Sequence, residues 1–391
     1  MQGTAVFRHV LAFAFRALLV ALGGVQTQAQ DPLLWGMLKA GPYAVGYQSS
    51  IALDGSRMYD GTSARPILLQ VWYPAANSDN PKLNYGAYFH VPHLDQHPRL
   101  SDRLQSFARD AASNDLFKRQ TEALLRPAER AAFDRLLNAR TTAVFHARGA
   151  PGRFPVVLYH PGAGGSFEEN SVLFEYLASF GYIVVSSAFQ SPFADSVSNN
   201  VGGIERSGAD LTFIAGQAQK WANADPGRLA AMGHSAGAQN ILQWIGTAQC
   251  PAVAVVSLDT TLEYDEFLDW HKDLRAAFRK LDPPNVPVLL LARANPKPRF
   301  SAFREYLRFA PRYEGEVAEL KHDDFLTHGF LGRALTGSAE SERVRRSYEE
   351  VCRTVKSFLD SVFGGTAFPP RHSARSPVSV RYKPALRKPT L

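Results

Sequence analysis

The stretch from Leu229 to Gly237 reads LAAMGHSAG, an apolar run that ends in a serine set between two glycines. A helix-like run follows it as far as about Gly246. This is the pattern of a nucleophile elbow, a sharp strand-to-helix turn that exposes a serine hydroxyl. The serine of such a turn has a strained backbone with positive φ, and side chains at Gly233 or Gly237 would collide with the adjoining strand and helix. The stretch therefore predicts a strand, a tight turn and a helix.

The sequence around this turn alternates between apolar runs of strand length and stretches with helical periodicity. The predicted strands are 155–159, 182–186, 229–232, 252–258, 286–291 and 315–320, and the predicted helices are 172–180, 208–222, 264–280, 300–309 and 340–363. Strands that alternate with crossover helices form a mostly parallel sheet with helices on both faces, and ligands bind at the carboxyl ends of its strands. We therefore predict an α/β fold.

Two further predicted strands, 41–47 and 65–74, precede this region and are joined by a polar turn, which is typical of an antiparallel edge pair. Apolar residues then recur at helical spacing over about 85–140, which predicts a helical insertion before the strand at 155–159. The apolar stripes of this insertion make it a candidate lid over the strand ends. Simple packing of the same stripes against the sheet is the alternative.

A serine hydroxyl is a poor nucleophile, so Ser235 needs a base within hydrogen-bond reach and a carboxylate that orients the base. Four histidines lie downstream of it: His271, His322, His328 and His372. We predict His322 as the base, because it follows the last predicted strand and can reach across the strand ends, with His328 as the alternative. His271 belongs to a predicted amphipathic helix and His372 lies near the C-terminus.

The carboxylate can come from the end of the strand after the elbow or from the end of the next strand. Asp259 directly follows the first of these strands, whereas no acidic residue follows the second before Glu305. We therefore predict Asp259 as the acid, with Glu263 and Asp265 as alternatives. An aspartate at this place can also cap the helix that follows.

The oxyanion of a tetrahedral intermediate needs two convergent backbone N–H donors. One is predicted at Ala236, directly after the serine. The other is expected in the glycine-rich loop 160–165, at Ala163 or, alternatively, at Gly162. The loop lacks the Gly-Lys-Ser/Thr of a phosphate loop, and Phe167 replaces the last glycine of a dinucleotide motif, so nucleotide binding is not expected.

The glycine-rich loop, the elbow, Leu258-Asp259 and the segment 322–325 together resemble the α/β-hydrolase superfamily. The acid on the strand right after the elbow, the His-x-x-Phe step, and the Gly-Pro-Tyr and Val-Trp-Tyr-Pro segments near the start are similar to platelet-activating-factor acetylhydrolases and dienelactone-hydrolase-like esterases. The resemblance covers roughly 41–363 and implies the α/β-hydrolase fold.

The resemblance also implies a serine esterase. Ser235 would attack an ester carbonyl while His322, held by Asp259, takes its proton. The backbone N–H groups of Ala163 and Ala236 would stabilise the oxyanion, and water would release the acyl group without any metal ion or cofactor. The expected substrate is a small-molecule or lipid ester, as for a lipase or a phospholipid acetylhydrolase. A thioesterase, amidase or peptidase is the alternative, and a non-catalytic binding protein on this scaffold is a further one.

Residues 1–29 have the pattern of a secretory signal peptide. Arg8 and Arg16 flank the first of two apolar runs, and a stretch of small and polar residues ends at Ala29. We therefore expect a secreted or periplasmic protein, with no stable membrane insertion after cleavage; an uncleaved anchor is the alternative. Residues 30–363 then form the hydrolase domain.

Residues 364–391 form a basic, proline-rich tail. The formal net charge of the chain is +7, and the tail holds six basic residues and no acidic one, so the rest is close to neutral. We therefore expect no nucleic-acid partner and an extended or disordered, solvated tail, with a contact to a membrane surface or acidic polymer as the alternative.

Cys250 and Cys352 are the only cysteines of the chain. They could pair in an oxidising compartment or remain two buried thiols, and their spacing favours neither outcome. Neither belongs to a Cys-x-x-Cys motif, so the sequence gives no support for a zinc site.

Overall fold

The structure, a computed structural model, describes residues 32–191, 201–264, 272, 276, 278–368 and 376–387. The predicted signal peptide at 1–29 lies outside the described residues, as do Asp265, His271 and His372.

Ten strands of the described residues form one sheet. They are β1 Ala44–Met58, β2 Ala64–Ala75, β3 Ala143–Phe145, β4 Phe154–His160, β5 Ile183–Ser186, β6 Ala224–His234, β7 Ala254–Leu258, β8 Val288–Arg293, β9 Arg312–Val317 and β10 Val378–Lys383. Their order is β10-β9-β8-β7-β6-β4-β5-β2-β1-β3. Strands β4 to β9 pair in parallel, whereas β1–β2, β2–β5 and β9–β10 are antiparallel pairs. The prediction of a mostly parallel sheet is confirmed.

Helices cover both faces of this sheet. They are α1 Pro32–Trp35, α2 Leu100–Phe117, α3 Pro127–Asn138, α4 Ser171–Ser179, α5 Val201–Ala218, α6 Ala236–Trp244, α7 Ser301–Tyr306, α8 Thr327–Leu335 and α9 Ser341–Gly364. Val157 and Tyr159 of β4 join the core under α2, α3, α4, α8 and α9. Val156 and Leu158 join the core under α5, α6 and α7. The apolar run of β4 is continuous because the strand is buried on both faces.

The helical insertion consists mainly of α2 and α3. Leu104 and Ala108 of α2, like Phe133 and Leu136 of α3, are fully buried in the core of the first face. Burial of these side chains stabilises the fold through the removal of apolar surface from water. The apolar stripes are therefore packed into the core against the sheet, as the alternative interpretation expected. They do not form an exposed lid surface over the strand ends.

The two edges of the sheet differ from the sequence expectation. Strand β3 pairs in parallel with β1, so the β1–β2 hairpin is not itself the edge. Strand β10 falls within the expected solvated tail and pairs antiparallel with β9. A segment of that tail is extended, as expected, but it is ordered against the sheet. Its apolar residues Val378 and Val380 alternate with Ser379 and Arg381, which is the pattern of a strand with one face toward the core, and Val378 is buried.

Cys250 and Cys352 are both free thiols. Cys352 lies in the core on one face of the sheet, while Cys250 packs against the core on the other face, so the sheet separates them. Within the described part of the chain, no helix combines the length and the apolar character needed to cross a membrane.

Candidate active site

Ser235 lies in the turn between β6 and α6, with a φ of 53° and a ψ of −120°. A Cβ atom at Gly233 would stand 2.6 Å from the carbonyl carbon of Gly237, and one at Gly237 would stand 2.1 Å from the oxygen of His160. Both contacts are too short for any side chain, so both glycines are required. Ala236 is the first residue of α6, where a backbone N–H has no acceptor within the helix.

Ser235, His322 and Asp259 form a continuous hydrogen-bonded chain. The Nε2 atom of His322 is 2.8 Å from the Oγ atom of Ser235, and its Nδ1 atom is 2.7 Å from an oxygen of Asp259. Because the carboxylate can only accept, Nδ1 carries the proton and Nε2 is free to accept one from the serine. The structure therefore brings together the three residues predicted as nucleophile, base and acid.

Asp259 follows β7 directly and its side chain is fully buried. One carboxylate oxygen accepts hydrogen bonds from the hydroxyl of Tyr264 at 2.5 Å and from the backbone N–H of Arg293 at 2.8 Å. Burial by itself raises the pKa of Asp259, but the hydrogen bond from His322 and the charges of His322 and Arg293 outweigh burial and hold that pKa below its ordinary value. Asp259 is therefore ionised at neutral pH.

The structure places the alternative candidates elsewhere. The buried Glu263 accepts a hydrogen bond from the hydroxyl of Ser257 at 3.2 Å, and burial together with the nearby charge of Asp259 raises its pKa well above the ordinary value. His328 is also buried, and its Nδ1 atom lies 3.0 Å from Asp115. Neither residue occupies the position of acid or base. Asp265 lies outside the described residues.

The glycine-rich loop turns tightly beside the serine. The N–H of Gly165 donates to the carbonyl of Gly162 at 3.1 Å, and a Cβ atom on Gly162 would lie 3.3 Å from that of Ser235. The N–H of Gly162 donates to the carboxyl of Glu169 at 3.3 Å, so it already has an acceptor. The next N–H along the loop belongs to Ala163, which is therefore the better of the two predicted oxyanion donors.

Two histidines whose role the sequence did not reveal support this site. The Nε2 atom of His234 lies 3.0 Å from the carbonyl oxygen of His322. His160 stacks on Phe189 with ring centroids 3.7 Å apart and accepts a hydrogen bond from Asn240 at 3.2 Å. Burial lowers the pKa of each of the two supporting histidines to about 3, so both are neutral. Their positions in the sequence could have indicated this role, because His234 lies within the elbow and His160 begins the glycine-rich loop.

A group of buried titratable side chains lies beneath the glycine-rich loop. Glu169 accepts a hydrogen bond from the hydroxyl of Tyr159 at 2.7 Å, and His328 approaches Glu168 at 3.5 Å and Asp115 at 3.0 Å. Burial raises the pKa of Glu168 to about 7 and that of Glu169 to about 8. Burial lowers the pKa of His328, but its bond to Asp115 and the charge of Glu168 outweigh burial and raise that pKa.

Comparison with known proteins gives a likeness in structure. No protein-family model and no curated protein matches the sequence. Among solved structures, a ferulic acid esterase from Streptomyces cinnamoneus is similar, with a TM-score of 0.60 and 18% sequence identity over 88% of this chain and 98% of that chain. The chain has the α/β-hydrolase fold.

Within this α/β-hydrolase fold, the site lies where neighbouring parallel strands end. Strands β4 and β6 are adjacent, and His160 is in register with Gly233, so the glycine-rich loop and the elbow leave the sheet side by side. Strand β7 comes next, with Leu258 in register with His234, and Asp259 follows it. Loops at the carboxyl ends of adjacent strands converge, which is why residues far apart in sequence meet at the serine.

Proposed function

We propose that this protein is a serine hydrolase that cleaves carboxylic esters through an acyl-enzyme intermediate. The observation that carries the proposal is the unbroken chain from Ser235 through His322 to Asp259, with distances of 2.8 and 2.7 Å. Three groups in this geometry can activate a hydroxyl for attack on an acyl carbon. The likeness in fold to a ferulic acid esterase supports an ester as the substrate.

The geometry suggests the following steps. The Oγ atom of Ser235 bonds to the carbonyl carbon while its proton passes to Nε2 of His322, and Asp259 stabilises the resulting imidazolium. The carbonyl oxygen becomes an oxyanion that accepts hydrogen bonds from the N–H groups of Ala163 and Ala236. Collapse breaks the C–O bond, and the leaving alcohol takes the proton from His322. Water, deprotonated by the same histidine, then attacks the acyl carbon. The bond between that carbon and Oγ of Ser235 breaks, Oγ takes the proton from His322, and the acid is released.

We also propose a substrate class, a location and the bounds of the catalytic domain. The substrate is a small-molecule or lipid ester, as for a lipase or a phospholipid acetylhydrolase. Residues 1–29 direct the protein out of the cytoplasm, to the periplasm or the medium, and residues 30–363 form the catalytic domain. The chemistry needs no metal ion or cofactor, and the net charge of the domain is too close to neutral to favour nucleic acid as a partner.

Labelling with a fluorophosphonate probe tests the nucleophile. We expect the wild type to react, Ser235→Ala to show no labelling, and His322→Ala to react far more slowly. Ser379→Ala is the matched control, because Ser379 is an exposed serine on β10, and this variant should label like the wild type. Labelling that persists in Ser235→Ala overturns the mechanism.

Hydrolysis of p-nitrophenyl acetate and of thioester and amide analogues with the same acyl group tests the substrate class. We expect the ester to give a higher kcat/KM than the amide or the thioester analogue. A preference for the thioester or the amide, with the same dependence on Ser235, would assign the site to that acyl class instead.

A further inference from the structure

Arg293 ends strand β8, at the place where the sequence could have carried a second candidate acid. A guanidinium nitrogen of Arg293 lies 3.2 Å from the same oxygen of Asp259 that receives the hydrogen bond from His322 at 2.7 Å. Its backbone N–H binds the other oxygen of Asp259 at 2.8 Å. The guanidinium of Arg293 and the imidazole of His322 therefore share one oxygen of Asp259.

The guanidinium is held in this position by Tyr264. The central carbon of the Arg293 guanidinium lies 4.8 Å from the centroid of the Tyr264 ring, within the range of a cation–π contact. The hydroxyl of Tyr264 is fixed in turn by Asp259 at 2.5 Å. The side chain of Arg293 is only 14% exposed, so solvent screens its charge weakly. The cation is thus a fixed part of the site.

A fixed positive charge changes the proton equilibrium of the base. The guanidinium of Arg293 repels the imidazolium form of His322. It also offsets part of the negative charge of Asp259, and that negative charge is what stabilises the imidazolium. Among the described residues, His234 and Asp323 also interact electrostatically with His322. Asp323 pairs with Lys118, and Glu263 lies close to Asp259. Arg293 differs from these four because its charge contacts the acid of the triad directly.

We propose that Arg293 is a positioning residue whose charge keeps His322 in its neutral, proton-accepting form at a lower pH than the Asp259–His322 pair alone would allow. The inference rests on the proposed serine-hydrolase function. The protein then retains a working base in mildly acidic surroundings, while Asp259 remains ionised because the same guanidinium stabilises its charge.

The pH profile of kcat/KM for p-nitrophenyl acetate tests this role, since its acid limb reports the free enzyme's base. Removing the cation in Arg293→Gln should move that limb upward by about one pH unit, because the imidazolium form is then less disfavoured. Arg293→Lys, which keeps the charge, should stay close to the wild type. Arg299→Gln removes a charge from an exposed neighbouring residue and should not move the limb. Arg293→Met is a second neutral variant if Arg293→Gln does not fold.

A second measurement follows the ring of His322 directly. With ¹³C-labelled histidine, the His322 signal is identified by its loss in His322→Gln, and its titration midpoint is compared between the wild type and the neutral Arg293 variants. This midpoint needs no substrate, so it decides the inference even if the protein proves inactive on esters. If the neutral variants lose activity at all pH values, with no shift of the acid limb of kcat/KM or of the NMR titration midpoint, the inference is overturned. Arg293 then has a purely structural role. Labelling that persists in Ser235→Ala overturns the proposed function separately.

Discussion

The imidazole of His234 donates a hydrogen bond from Nε2 to the backbone carbonyl oxygen of His322, 3.0 Å away, with the two ring centroids 4.6 Å apart. The residue before Ser235 thus holds the backbone of His322 in place. Both rings stay at fixed positions relative to Ser235, because His234 and Ser235 are adjacent in the same strained turn.

Replacing His234 with phenylalanine should therefore impair catalysis more than folding. The ring volume is kept, but the donor to the carbonyl of His322 is lost, and a hydrogen bond of this kind contributes about 1 kcal/mol. We expect kcat to fall about fivefold with little change in KM. His234→Asn keeps a donor and should recover part of the loss. A His234→Phe enzyme with unchanged kcat would show that the contact does not position the base.

Glu169 should hold the oxyanion loop through its neutral carboxyl group. Its oxygen accepts from Tyr159 and from the N–H of Gly162 at 2.7 and 3.3 Å. Glu169→Gln keeps this acceptor and should retain near wild-type kcat. Glu169→Ala leaves two buried donors without an acceptor, at a cost of about 1–3 kcal/mol each.

We therefore expect kcat of Glu169→Ala to fall at least about tenfold, since a loosened loop no longer stabilises the oxyanion. The measurements are kcat on p-nitrophenyl acetate and the free energy of unfolding in urea. Equal kcat values for the alanine and glutamine variants would contradict this role of the loop contact.

Stability should decrease as the pH rises through neutrality. The pKa of Glu168 is raised to about 7 and that of Glu169 to about 8, from an ordinary value of 4.5. Between the ordinary and the raised values the folded protein binds protons that the unfolded chain has released, so the free energy of unfolding falls with pH. The slope approaches about 1.4 kcal/mol per pH unit for each such proton. The raised pKa of His328 acts in the same direction.

Urea unfolding at about pH 5, about pH 6.5 and about pH 8 measures this slope. The double variant Glu168→Gln, Glu169→Gln cannot titrate at these positions, so its stability should depend less on pH than that of the wild type. An unchanged slope in the double variant would assign the pH dependence to other groups.

The elbow glycine should not tolerate a methyl group. In Gly237→Ala the new Cβ atom would stand 2.1 Å from the backbone oxygen of His160, so the strand end or the helix must shift. We expect strong destabilisation and loss of activity. Gly216→Ala is the matched control on α5, where a Cβ atom meets nothing within 4 Å, and it should stabilise by about 0.5–1 kcal/mol. Thermal unfolding of both variants checks the contrast.

The parts of the fold that could be predicted from the sequence are those that a pattern of neighbouring residues indicates. The buried strands β4 to β8 contain apolar runs, and Asp259 could be proposed because it directly follows the run in β7. His322 could be proposed because it follows the last predicted strand at 315–320, although β9 itself is less apolar. The boundaries were less predictable. Strand β9 ends at Val317 instead of Leu320, because Glu319 has a φ of 66° that no strand residue adopts. Strands β3 and β10 are too short, or too close to prolines, to give a clear pattern.

The parts that did not follow from sequence depend on contacts between distant segments. Arg293 is an ordinary charged residue at a strand end until the sheet places it beside Asp259, 34 positions earlier. Tyr264 looked like part of an amphipathic helix, but its hydroxyl faces the same carboxylate. Glu169 and Gly162 are close in sequence, yet nothing in their identities indicates that a buried carboxyl turns back onto the loop. Such partners are defined by three-dimensional proximity alone.

Strand β10 has a mechanical consequence for the site. It is joined to β9 along its whole length, and the N–H of Ala318 donates to the oxygen of Pro377, only a few residues before His322. A fusion partner or surface linkage attached beyond β10 would transmit its pull along this edge to the strand that leads to the base. Immobilising the protein through that end should therefore disturb turnover. Attachment at the exposed Asp79 should not, because Asp79 follows β2, which lies toward the opposite edge of the sheet.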